Sequence, residues 1–212
     1  MSSIDRRRAV RVVAPVAGLL AAGLLVWQGS YAAFSATTQN TADAWSTGTL
    51  ALTNNGGTGT YAGSTSALFD GTTAGQPENN IKVGDGGQKC ITVESSGSLA
   101  GTLKFYRGAI TGNVLAPQID VTVEAVPVAA TDDIQADCTG FPTTGVTTLH
   151  NAVALTSLPS SYAGAAAGIA MSGGTERVAY RITWALASTG SGSGDAALMG
   201  QSSSADLDWE IQ

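Results

Sequence analysis

The chain has 212 residues and a formal net charge of −6; only 12% of its positions are charged, about half the usual share, while 43% are hydrophobic. This composition excludes a charged disordered tail, a coiled coil and a nucleic-acid-binding protein. Two Cys and one His exclude any zinc site built from four Cys and His ligands, and the length suits one domain with a sizeable core.

Arg6, Arg7, Arg8 and Arg11 precede a charge-free apolar run over 12–27, and small residues follow at Ser30, Ala32 and Ala33. A basic start, an apolar stretch and a small-residue exit form the pattern of a secretory signal peptide. Ser30 and Ala32 fit the two small pockets of a signal peptidase, so residues 1–32 are expected to be removed by a cut between Ala32 and Ala33. The alternative is an uncleaved anchor, although the apolar run is shorter than the ~20 residues of a spanning helix. Cleavage would leave 6 basic and 15 acidic residues, a net −9. Such a charge repels nucleic acid and anionic lipid, so neither is an expected partner after cleavage. The expected location is outside the cell or at its surface.

Residues 33–47 form a polar arm rich in Ser, Thr, Asn and Gln. A first strand is expected over 48–53, stopped by Asn54-Asn55-Gly56-Gly57. Short strands follow near Ile81–Val83 and at Ile91 and Val93, the latter carrying Cys90. Leu99, Gly101, Leu103 and Phe105 alternate with polar residues or Ala. So do Ile119, Val121, Val123 and Ala125, then Val178, Tyr180, Ile182, Trp184 and Leu186, and finally Ala205, Leu207, Trp209 and Ile211. Alternation with a period of two marks strands with one buried and one wet face. A weaker strand lies near Thr147–Leu155. Short helices are expected around Ser161–Ala170 and Asp195–Met199. Glycine-rich turns separate the strands. The sum is an all-β chain, an antiparallel β-sandwich of jelly-roll or Ig-like type with short helical connections, as one domain over 48–212.

Export would expose Cys90 and Cys138 to oxidants, which makes a disulfide the expected state; two separate buried thiols are the alternative. Catalytic residues are not expected. His150 stands alone, without the HExxH pattern or the three protein ligands of a zinc hydrolase. The Ser and Asp residues lack a nucleophile motif, and the glycine runs lack the Lys and helix of a phosphate loop. No cofactor is expected. Asp132, Asp133 and Asp137 could hold Ca²⁺ weakly, or simply form a solvated loop tip. Asp206, Asp208 and Glu210 are the wet face of the last strand. Tyr180, Trp184 and Trp209 are expected in the core rather than on a sugar-stacking platform.

Three segments carry a family resemblance. Residues 29–35 (GSYAAFS), followed by 44–52 (AWSTGTLAL), resemble the signal-peptide exit and first strand of the TasA/camelysin family of secreted Gram-positive proteins. Residues 83–99 and 198–210 are similar to that family's middle and closing segments. The stretch from about 110 to 175 has no match, and the Cys pair is not part of the resemblance. It implies a jelly-roll sandwich, processing by a SipW-type signal peptidase, and assembly into biofilm-matrix fibres by donor-strand exchange. In that scheme the partner is a second copy or a related matrix subunit, and the arm 33–47 is the donor, anchored by Phe34 and Trp45. The arm could equally fold back into its own subunit. Two other readings stay open: a monomeric surface binding or adhesion module, and a camelysin-like metallopeptidase.

Overall fold

The computed structural model describes residues 48–69, 78 and 80–212. The expected leader, the cut between Ala32 and Ala33, and the arm with Phe34 and Trp45 lie outside these residues.

Among the described residues, eight strands form two antiparallel sheets. The strands are β1 (Leu52–Asn54), β2 (Gly86–Ser95), β3 (Gly101–Thr111), β4 (Ile119–Val128), β5 (Thr147–Ala154), β6 (Ile169–Met171), β7 (Glu176–Leu186) and β8 (Ser204–Ile211). The larger sheet runs β1-β2-β7-β4-β5 and the smaller β6-β3-β8. The chain is an antiparallel β-sandwich, with one short helix, α1 (Gly192–Ala197), and three 3₁₀ turns among the described residues.

The alternating apolar residues face each other between the sheets. Ile91, Val93, Val121, Val123, Val178, Tyr180 and Ile182 meet Leu103 and Phe105 of β3. Phe105 is the hub of an aromatic cluster, with ring centroids 5.4 Å from Trp209, 6.4 Å from Tyr180 and 6.3 Å from His150. Tyr180 also meets Trp209 edge to face at 5.6 Å. Such pairs add to the area buried. Leu115, Trp184, Leu186 and Leu198 close one end of the sandwich.

The outer face of the larger sheet is not simply wet. The connection between β4 and β5, residues 129–146, crosses it as a strap. Ile134 and Phe141 of the strap pack on Cys90, Val126 and Ala179. Because the sheet is covered on both sides there, Cys90, Ile91, Thr92 and Val93 are all buried in succession, and the period-two signal disappears. On the same face opposite charges pair across strands, Arg177 with Glu94 and Arg181 with Glu124, both at 2.7 Å. Both arginines also touch the strap: Arg177 donates to the Asp132 carbonyl at 2.8 Å, and Arg181 lies 4.6 Å over the Phe141 ring.

Two expected elements differ. Ile81–Val83 is not a strand; both side chains pack under Trp184 and Leu115 from a loop. Ser161–Ala170 is not a helix but a single 3₁₀ turn (Tyr162–Gly164) leading into β6. Alanine favours a helix there, yet a Cβ at Gly168 would sit within 2.7 Å of the Thr102 and Lys104 side chains. The segment is held against β3 as a strand. β1 is also shorter than expected, beginning at Leu52, and Leu99 is exposed just before β3.

Candidate functional site

The smaller sheet ends abruptly. β8 pairs with β3, from Leu103↔Ile211 to Thr111↔Ser204, and among the described residues no strand lies on its other side. Its inward side chains Leu207 and Trp209 are only partly buried. Along this edge runs a groove of about 990 Å³. One wall is β8 with the preceding residues 200–203. The opposite wall is β1 with residues 63–69, and the floor includes Ile91, Val93, Val121 and Ile182 of the larger sheet. An edge with free backbone donors and acceptors above an apolar floor can take an extended segment by strand addition.

The other sheet margins differ from this one. β6 has three residues. β5 is irregular: its register with β4 shifts twice, and Ala152 has φ of 46°, with its N–H turned to Thr122 Oγ1 at 3.0 Å. β8 is the long margin, and its outward face carries Asp206, Asp208 and Glu210. Glu210 accepts from the Tyr106 hydroxyl at 2.7 Å, which pushes the phenol up to about 12. Burial, then the charges of Asp206 and Glu210, hold the Asp208 carboxyl above its ordinary value.

Near the groove, Lys89 is buried on β2 with Nζ 3.1 Å from Glu78 Oε2 and 5.6 Å from the centre of the Phe69 ring. Glu78 and Phe69 both line the groove. The sequence gives no sign of this pair, because Lys89 looks like an ordinary polar residue before an apolar run.

Cys90 and Cys138 form a disulfide, with Cα atoms 5.0 Å apart. It fastens the strap to β2. A second fastening comes from Asn55, which is fully buried. Its Nδ2 donates to Asp133 Oδ1 at 2.6 Å and to the Ile134 carbonyl at 2.9 Å; its Oδ1 accepts from the N–H groups of Thr92 and Gly57. Thr92 Oγ1 closes the circuit, donating to Ile134 O and accepting from Ile134 N. Gly57 has φ of 70°, and a Cβ there would lie 2.8 Å from Ala136 of the strap. Only glycine allows that approach.

The three aspartates of the strap do not converge. Asp133 accepts from Asn55 and Tyr61, Asp132 Oδ2 accepts from Ala129 N, and Asp137 is bound by Thr139. Among the described residues no three His, Cys, Asp or Glu side chains gather closely enough to hold a metal ion. Burial, then the neighbouring Asp133, pushes the Tyr61 phenol up to about 12, and Arg177 lies 4.5 Å over its ring. Tyr180 and Trp184 are buried, as expected of core residues, while Trp209 is partly covered and borders the groove.

His150 sits on β5 facing Phe105, its Nε2 buried without a hydrogen-bond partner, and burial lowers its pKa from 6.5. The unfolded chain therefore takes up this proton first as pH falls. The favourable contribution of a neutral His150 is complete above 6.5 and is lost as pH drops through the lowered folded value. Urea melts from pH 7.5 to about 5 should show stability falling more steeply in the native chain than in His150→Gln.

Among the described residues, no helix is long and apolar enough to cross a membrane. In comparisons with known proteins, no family model and no curated protein matches the chain.

Proposed function

We propose that this chain is a secreted structural subunit that polymerises by strand exchange, with the arm 33–47 of one copy lying in the β8 groove of the next. The observation that carries this reading is the edge of β8, unpartnered among the described residues, above a groove floored by core residues. The resemblance of residues 29–52 to the TasA/camelysin family supplies the direction of the idea. The disulfide supports export, since such bonds persist in oxidising compartments. A contact between an arm and a distant groove is head-to-tail and does not close on itself, so repetition gives a filament.

The arm suits a narrow groove. In an extended strand its even positions share one face: Phe34, Ala36, Thr38, Asn40, Ala42, Ala44 and Ser46. These are mostly small. The odd face is polar apart from Ala33 and Trp45. Phe34 and Trp45 therefore cannot both point into the groove from one unbroken strand, and Phe34 is the anchor that the small face favours.

Electron microscopy of the purified secreted protein tests this. The intact mature chain should form filaments, and the same chain without residues 33–47 should remain a monomer. An absence of filaments from the intact chain under all conditions would instead favour a surface binding module. Chelator-sensitive proteolysis would point to the peptidase reading.

A further inference from the structure

Trp184 on β7 and Trp209 on β8 border the β8 groove from opposite sheets. Each has a buried indole Nε1–H with no hydrogen-bond partner, and Trp184 is only 7% exposed. Buried donors are paired in the great majority of cases. An indole N–H can only donate, so each of these groups calls for an acceptor oxygen. The floor between them, Ile91, Val93 and Ile182, offers side chains of pure hydrocarbon.

We propose that Trp184 and Trp209 are positioning residues for an inserted backbone: their indole N–H groups take main-chain carbonyls of residues 33–47 from a second copy. The inference rests on the strand-exchange reading and names the chemistry by which the groove would recognise its occupant. An extended segment carries one carbonyl per residue and presents them on alternating sides. The arm's small face lets its backbone sink between the sheets, whereas a run of large side chains would hold the carbonyls away from the rings. Its reach is sufficient. Fifteen extended residues span roughly 50 Å, against roughly 27 Å for the eight residues of β8. Thr49, two positions beyond the arm in sequence, is tied to the sandwich: its N–H donates to Ser98 Oγ and its carbonyl accepts from Leu99 N. Recognition through carbonyls would make the groove tolerant of the arm's side-chain identity but intolerant of a shift that misplaces its backbone.

The test uses the ¹⁵N-labelled chain without residues 33–47, which the strand-exchange reading leaves monomeric with an empty groove, and an unlabelled synthetic peptide of residues 33–47. The two indole N–H signals are assigned from W184F and W209F. Adding peptide should move both downfield, as hydrogen bonding requires, and each Trp→Phe substitution should weaken peptide binding roughly tenfold while leaving the ring's packing in place. Peptide binding without movement of either indole signal would overturn the inference and leave strand exchange standing. Absence of any binding, with filaments also absent by electron microscopy, would remove both. Filaments that grow unchanged from the W184F/W209F double variant would overturn the indole role alone. Because the shifts are read on the protein with both tryptophans in place, that readout does not depend on how well the variants fold.

Discussion

Replacing Asn55 with alanine should lower the folding free energy by about 4 kcal/mol, read from urea unfolding followed by tryptophan fluorescence. The side chain makes four hydrogen bonds in a fully buried position. Alanine would leave the N–H groups of Thr92 and Gly57 and the carbonyl of Ile134 short of partners, and each such buried group costs about 1–3 kcal/mol. Asn55→Asp should be at least as damaging at neutral pH. It would set a carboxylate against Asp133 Oδ1, now 2.6 Å away, and against the Ile134 carbonyl, where only a donor is tolerated.

Removing the disulfide, by Cys90→Ala with Cys138→Ala, should cost a similar amount. The bond spans 48 positions, and the chain-entropy model gives about 4 kcal/mol for a loop of that length. The two effects should not add. Both Asn55 and the disulfide hold residues 129–146 on the larger sheet, so a chain that has lost one fastening has less to lose from the other. A double-mutant cycle should show a coupling of at least about 1 kcal/mol. Full additivity would mean that the disulfide acts wholly on the unfolded chain and that Asn55 does not depend on the strap's position.

How much of this was legible in the sequence depends on whether a residue's surroundings are local. β4, β7 and β8 were visible because Val121, Val123, Tyr180, Ile182, Leu207 and Trp209 alternate with polar neighbours, and each strand has one covered face along most of its length. β2 was visible only as a fragment around Ile91 and Val93, because the strap covers the second face and Cys90 and Thr92 are buried as well. The strap has no periodicity of its own. Its fastenings join residues about 40 to 80 positions apart, and of these only the cysteine pair had a signature, through compartment and count. Asn55 read as a turn former, and it does stop β1; its larger task depends on residues far along the chain. The Ser161–Ala170 stretch misled because alanine content speaks for a helix, while the glycine that packs against β3 speaks only once β3 is in place. The groove was the least legible feature. It follows from the order of strands in the smaller sheet, and no run of residues in β8 announces that its second side has no neighbour among the described residues.

The place of Cys138 within the strap has a consequence for how the chain withstands proteolysis. A nick between 129 and 137 leaves the two halves of the chain joined through Cys90 and Cys138, so the cut molecule runs as one band until it is reduced. A nick between 139 and 146 leaves both cysteines on the same fragment, and nothing covalent then ties β5–β8 to the rest. The short segment just beyond Cys138 is therefore where damage would become permanent.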